Sequence, residues 1–369
     1  MLYTFRILFG QPTRLLLTIG GISLCMILML FLFGIYKGVE DGSVDYIREN
    51  KADLWILQRN STNILRGTSI LPAFQKNIIQ KNENVETVAQ ILILLTTIKK
   101  GSEHSTIFLA GYDPEFRLGG PPKILQGRNI RSGNEIVLDK SYAKKNKFHI
   151  GDTAVILDDT LLVVGISEGT NAFVIQYAFT TLKEAQLLLG FPNIITCDMI
   201  KLKKGSDLNK TAGQLKSLLK GVNIYNYEEF LENNIKEMES GFLPILYAVA
   251  GLGAIVLTAV LSLILSINIL EKKKEFAVIK ILGAPKNFLP KIVFQQAITV
   301  ISTAGIFSII FFFPLVSIIE NISPEVSTKT TVSQILIVIS AGLVMSLISS
   351  IVSLRRLRKI YPMEVFNDR

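Results

Sequence analysis

Four stretches without a charged residue dominate this chain: Leu15–Tyr36, Ser240–Leu270, Ile292–Ile319 and Thr330–Leu354. About 200 residues of mixed composition separate the first from the second. At about 1.5 Å rise per residue, a helix over the shortest run is about 33 Å long, enough to cross the hydrocarbon core of a bilayer. The spacing predicts an α-helical membrane protein with four transmembrane helices and an extracytoplasmic α+β domain inserted between helices 1 and 2. The expected division is 1–37 (cytoplasmic N-terminus and first span), 38–239 (the inserted domain) and 240–369 (three spans, a loop at 271–291 and a basic tail).

Charge placement sets the expected orientation. The net charge is +9 and mean hydropathy is +0.41. Arg6 and Arg14 precede the first run. Lys272, Lys273, Lys274, Lys280, Lys286 and Lys291 lie between the second and third, and Arg355, Arg356, Arg358, Lys359 and Arg369 follow the fourth. The connection between runs three and four holds Lys329 against Glu320 and Glu325. Basic residues stay on the cytoplasmic side, so both termini and 271–291 are expected in the cytoplasm, with 38–239 outside a bacterial cytoplasmic membrane. No basic stripe with interleaved aromatics accompanies the charge, which argues against nucleic acid. The first run is longer than a signal-peptide core and lacks a small-residue cleavage site after it, so it reads as a retained span. Cys25 and Cys197 fall in different parts of this layout and are not expected to pair.

Along the inserted domain the pattern predicts strands at 53–58, 85–99, 106–110, 135–138, 199–202 and 222–225, and a hairpin of 153–157 with 161–166. Gly111-Tyr112-Asp113-Pro114 reads as a turn and 118–123 as a loop. Helices are expected at 141–147, at 181–189 with Thr181 as cap, and from Asp207 to Leu219. A further helix begins at Tyr227 and enters the second span. Two subdomains are expected, an α+β layer beside a β-rich part.

The missing motifs narrow the chemistry. No G-x-x-x-x-G-K-[ST] loop exists, so the chain cannot cradle a nucleotide phosphate in that manner. His104 and His149 form no ligand cluster and no G-x-S-x-G elbow appears, which argues against a metal site or a hydrolase triad. No carboxylate, lysine or histidine interrupts the runs, against a polar ion path through the spans. Pro314 reads as a tolerated kink. Small residues cluster inside the spans: Ala248, Ala250, Gly251, Gly253 and Ala254 in the second, and the Ser346–Ser350 and Ser349–Ser353 pairs in the fourth. Such faces let helix backbones approach closely, within one chain or between two. Tyr36, Glu40, Met238 and Glu239, near the outer ends of the first two spans, read as interfacial residues rather than haem ligands.

The sharpest local signal is Glu271-Lys272-Lys273-Lys274-Glu275-Phe276-Ala277-Val278-Ile279-Lys280-Ile281-Leu282-Gly283-Ala284-Pro285. It predicts a short amphipathic helix ended by Gly283-Ala284-Pro285, with Phe276, Ile279 and Lys280 on one face. This stretch resembles the loop between the second and third spans of FtsX-like, MacB-type ABC permeases. The matching residues are Lys274, Glu275, Val278, Ile279, Lys280, Leu282, Gly283 and Ala284. Phe276-Ala277 departs from the family's usual small residue after the acidic position. Glu135–Leu138, the helix after it, Ile150-Gly151-Asp152 and Leu161–Ile166 resemble the family's external core. Tyr361-Pro362-Met363-Glu364-Val365 resembles its closing segment.

The resemblance implies a permease subunit rather than an enzyme. It binds no cofactor itself; ATP and magnesium belong to a separate cytoplasmic ABC ATPase, against which the 271–285 helix would seat. It further implies a homodimer of permeases within membrane lipid, and an adaptor protein on the outer side. ATP-driven motion would pass outward along Tyr227–Leu270, with Gly241 and Pro244 as a kink or hinge. The expected function is export of an amphiphile or similar substrate. An FtsX-like regulator of a cell-wall hydrolase and a lipoprotein-releasing permease are the alternatives.

Overall fold

The computed structural model describes residues 12–64, 67–116, 118–170, 175–285, 287–326 and 328–357. The closing segment Tyr361–Val365 lies outside the described residues. The chain divides into two compact units. One, the helical unit, comprises Met1–Tyr36, Leu243–Ile318 and Thr328–Arg369; the other, the mixed unit, comprises Lys37–Phe242 and Ile319–Ser327. Both divisions between the long segments fall inside continuous helices, α1 (Pro12–Asn50) and α6 (Tyr227–Glu271).

In the mixed unit α1 is followed by β1 (Leu54–Gln58), β2 (Leu71–Pro72), α2 (Gln75–Ile79), β3 (Val85–Lys100) and β4 (Glu103–Tyr112). Next come β5 (Lys123–Gly127), β6 (Glu135–Asp139), α3 (Lys140–Lys145), β7 (Thr153–Ile156) and β8 (Asp159–Glu168). The unit continues with β9 (Tyr177–Thr181), α4 (Leu182–Leu189), β10 (Ile194–Ile195), β11 (Cys197–Leu202), α5 (Leu208–Leu218), β12 (Val222–Asn226) and the start of α6.

The main sheet runs β12-β1-β11-β3-β4-β9-β6-β8-β5, with β7 paired to both β3 and β8. Strand β3 is 16 residues long. Its first half pairs with β11, up to Ile91 opposite Cys197; its second half pairs with β4, beginning with Leu92 opposite Gly111. The two expected subdomains are therefore lobes that share one strand. Leu54, Val88, Ile200 and Leu215 lie in the core of the β12-β1-β11 lobe, and Ile98, Leu138, Tyr142 and Val163 in that of the other.

Several local expectations change. The 106–110 strand extends to Glu103–Tyr112 and passes through Gly111 instead of turning there. A Cβ at Gly111 would meet Ala185 Cβ at 2.4 Å, so this glycine lets α4 lie against the strand and makes no turn. The hairpin turns at Leu157-Asp158, whose φ angles are +50° and +78°, and not at Asp158–Thr160. β2, α2, β5, β9 and β10 were not foreseen; β5 begins in what read as loop. The caps hold as read. Thr181 Oγ1 accepts from Glu184 N at 3.2 Å, Asp207 Oδ1 accepts from Lys210 N at 3.0 Å, and Gly190 ends α4 at φ +68°.

After α6 come α7 (Lys273–Ile281), α8 (Phe288–Ile322) and α9 (Val332–Leu357). Among the described residues, four helical stretches are long and apolar enough to cross a membrane: Leu15–Asn50, Leu243–Glu271, Pro290–Ile322 and Val332–Leu354. α6 and α8 each continue through an internal proline, Pro244 and Pro314. The helical unit's core draws Met26 and Leu30 from α1, Leu257, Leu261 and Leu265 from α6, Val300 and Ile301 from α8, and Val338 from α9. Hydroxyls bond across helices to carbonyls: Ser23 Oγ to Ala304 O at 3.0 Å, Ser349 Oγ to Thr258 O at 3.0 Å, and Ser353 Oγ to Ser262 O at 3.1 Å. Lipid offers no hydrophobic drive between helices, so such short cross-links and small-residue contacts hold the bundle.

Candidate functional site

The spacing of apolar residues between Lys272 and Leu282 builds α7 as a helix with two faces. Phe276 and Ala277 are buried, and Ile279 packs beside them against the helical core that holds Leu265, Ile269 and Ile292. The outer face carries Lys274 and Glu275, both exposed, with Val278 (49 % exposed), Ile281 (54 %) and Leu282 (80 %). Lys272 Nζ reaches Glu275 Oε1 at 2.8 Å, one turn away. The helix ends as its sequence dictates. Ala284 N donates to Ile279 O at 3.3 Å, and Gly283 takes φ +86°. That is the glycine-terminated reversal that a residue with a Cβ adopts only under strain.

The face predicted from sequence splits here. Phe276 and Ile279 point into the unit, while the side chain of Lys280 lies outside the described residues. Val278, Ile281 and Leu282 form an apolar strip bordered by charge, on a helix whose opposite face is anchored. The opposite face packs against α6 and α8 through Phe276 and Ile279. Ile281 was not singled out; its position three residues after Val278 is the signal that marks it.

α1 and α6 continue into the mixed unit and pack within it. Tyr46, on α1, stacks on Tyr177 with ring centroids 5.0 Å apart, and its hydroxyl donates to Gly119 O at 2.7 Å. Asn50 Oδ1 accepts from Gly119 N, and its Nδ2 donates back to Tyr46 O at 2.8 Å. Phe230, on α6, is fully buried and stacks on Trp55 at 4.7 Å. Asn234 Oδ1 accepts from Ile64 N at 3.2 Å. Tyr46, Trp55, Tyr177 and Phe230 belong to one aromatic core cluster. From sequence Trp55 reads only as a strand residue and the helix residues are not marked, although an aromatic and an asparagine four apart recur in both charged helix flanks.

The small residues separate by role. In α6, Gly253 is close-packed: a Cβ there would lie 3.4 Å from Met29 Cε, whereas one at Gly251 would meet nothing within 4 Å. Ala250 and Ala254 are half-buried. In α9, Ser346 and Ser350 are fully buried, and Ser350 Oγ bonds back to Ser346 O at 2.7 Å. Ala254, Thr258, Ser262, Ser340, Ala341 and Val344 line part of an open apolar groove of about 760 Å³ between α6 and α9. Of the haem-ligand candidates, Glu40 accepts from Lys37 Nζ at 3.0 Å, and Met238 is buried. No cluster of three or more His, Cys, Asp or Glu suited to a metal exists among the described residues. His149 is exposed, with its ring 3.8 Å from Asp152.

Residues 15–218 match the MacB-like periplasmic core domain, and residues 247–362 match the FtsX-like permease C-terminal domain. An uncharacterized ABC transporter permease of Mycobacterium tuberculosis is 22 % identical over 359 residues, spanning 96 % of each chain. A putative hemin transport system permease protein of Staphylococcus haemolyticus is 22 % identical over 350 residues, spanning 91 % of each. Among solved structures, the periplasmic region of MacB from Actinobacillus actinomycetemcomitans aligns at 18 % identity and a TM-score of 0.41, over 50 % of this chain and 94 % of that one.

Proposed function

We propose that this chain, which belongs to the FtsX-like, MacB-type family of ABC transporter permeases, couples ATP hydrolysis in a separate cytoplasmic ATPase to movement of its mixed unit and export of an amphiphile. The observation that carries this reading is α7. It presents Val278, Ile281 and Leu282 outward from a helix whose other face, through Phe276 and Ala277, is buried in the helical core. An apolar strip bordered by Lys274 and Glu275 suits a groove on a soluble partner, with Ile279, Lys280, Gly283 and Ala284 shaping and ending the helix that offers it. ATP and magnesium are held by that partner.

In this reading both termini and 271–291 face the cytoplasm and 38–239 lies outside the membrane, the arrangement the distribution of lysine and arginine favours. Two permeases work with two ATPases, and an outer adaptor completes the export route. The ATPases close on ATP, the two α7 helices are displaced, and α6 and α8 follow because they share a core with Phe276. α1 and α6 carry the displacement outward as continuous helices rooted at Tyr46, Asn50, Phe230 and Asn234. Uncharged spans suit a cargo that never enters a polar pore. Among amphiphiles hemin is the first to test, because one relative carries that name.

The test is co-purification of the permease with its cognate ATPase, together with ATPase stimulation. Leu282→Glu and Val278→Glu each place a carboxylate in the strip, and the account expects affinity to fall at least about tenfold. Undiminished binding and stimulation in both folded variants would contradict it.

A further inference from the structure

Neither α7 nor the roots of α1 and α6 use the acidic connection between α8 and α9. Its segment Ile319–Ser327 belongs to the mixed unit. There Lys145 Nζ reaches Glu325 Oε1 at 2.6 Å, and Lys144 Nζ donates to Asn321 Oδ1 at 3.0 Å. The partners are 180 and 177 positions apart in sequence, so neither contact is a by-product of local geometry. The Glu325 side chain is 13 % exposed, against 49 % for Lys145.

Both sides of this contact are stiff. On one, Asp139 caps α3 by accepting from Ser141 N at 2.8 Å, and its other oxygen accepts from Thr170 Oγ1 at 2.8 Å. Tyr142 and Ala143 are buried in the lobe's core, so the lysines that follow stand on a fixed base. On the other, Ser323 N donates to Ile319 O at 2.7 Å and Val326 N to Ser323 O at 3.0 Å, with Pro324 between. Further along, within the helical unit, Lys329 N donates to Gly34 O at 3.2 Å and Gln334 Nε2 to Phe33 O at 3.0 Å.

We infer that Lys145 and Glu325 are positioning residues that seat the segment Ile319–Ser327 on α3 within the mixed unit. Lys144 and Asn321 support the seat. The inference rests on the reading that movement of the mixed unit drives transport. This ion pair joins a half-exposed lysine to a mostly covered glutamate, so the thermal midpoint of each variant is read beside its transport. Its worth lies in register: it fixes which point of the connection meets which turn of α3.

The experiment uses the full permease with its ATPase in proteoliposomes. Lys145→Glu and Glu325→Lys each replace attraction by repulsion and should lower transport per ATP hydrolysed by roughly fivefold, with ATP hydrolysis and thermal midpoint retained. The double variant Lys145→Glu/Glu325→Lys should restore coupling, and unchanged thermal midpoints in the single variants separate this effect from a loss of folding. Single variants that transport normally, or a double variant that fails to recover, overturn the assignment. A second measurement needs no ATPase. A Lys145→Cys/Glu325→Cys permease should be cross-linked by a short bifunctional thiol reagent, against a background of half-buried Cys25 and buried Cys197. Absence of the cross-link overturns the docking itself, whether or not the wider transport reading holds.

Discussion

The two units of this permease solve the same problem, holding helices in register, by opposite means. The helical unit is built on long uncharged runs and relies on close contacts. Examples are Gly253 against Met29 and the serine hydroxyls of α9 on the carbonyls of α6. The mixed unit relies on an aromatic core around Trp55 and Tyr177 and on paired charges such as Arg128 with Glu135. The difference is one of solvent. Lipid rewards fit and penalises charge, while water lets a surface be specified by ion pairs. It follows that pH and core truncation act on the mixed unit, and that small-to-large changes act on the helical one.

The largest expected effect comes from the aromatic root. Phe230→Ala removes a fully buried ring stacked on Trp55 and should cost about 3–5 kcal/mol. Thermal unfolding in detergent should show the mixed unit's transition moving while the helical unit's stays. A common shift of both transitions would break the separation between the units.

Next is a buried carboxylate. Asp198 Oδ1 accepts from Gln90 Nε2 at 2.8 Å, and its Oδ2 has no partner. Burial pushes its pKa up to about 7, with Gln90 and then Lys76 opposing. A raised folded pKa on an acid means stability is greatest below the unfolded value near 4 and declines as pH rises toward 7. The loss between those limits is on the order of 4 kcal/mol. Unfolding midpoints from pH 4 to 8 should fall for this unit, and Asp198→Asn should flatten the curve.

The helical unit is sharpened by Gly34→Val. A Cβ there would meet Thr328 Cγ2 at 2.5 Å, and overpacking of this kind costs about 1–3 kcal/mol. Gly251→Val, with nothing within 4 Å, is the matched control. Equal loss in both variants, read by monodisperse yield in detergent, would deny that close fit holds this unit.

The smallest effect is acidic. Arg128 holds the Glu135 carboxyl down at about 2, helped by the backbone at Arg131 and Ser132. A depressed folded pKa gives stability that is present above the unfolded value near 4.5 and lost as pH falls from there toward 2. Glu135→Gln should remove that acid limb, and a titration unchanged by the substitution would refute it.

The four spans were legible in sequence because lipid forbids interruption, so long parts of α1, α6, α8 and α9 appear as uncharged runs. The caps at Thr181 and Asp207 were legible because a side-chain oxygen must meet the first free amides. Gly111 misled because its reason is tertiary: α4 needs the space its Cβ would fill. β5 was hidden because most of its residues are exposed and carry no alternation. In the candidate site the C-terminal end of α7 was legible from Gly283 and Pro285. Its outward face was not, since Phe276 and Val278 differ in role only through what the bundle packs against. The docking of Glu325 on Lys145 was beyond reach, for no local rule links residues 180 positions apart.

The central claim is that force entering at α7 arrives at the roots of α1 and α6. Hydrogen exchange at 37–50 and 227–242, in the permease–ATPase complex with and without ATP, reads this directly. The account predicts an ATP-dependent change in both segments that disappears in Leu282→Glu. No change in the wild type, or a change that survives that substitution, would contradict it.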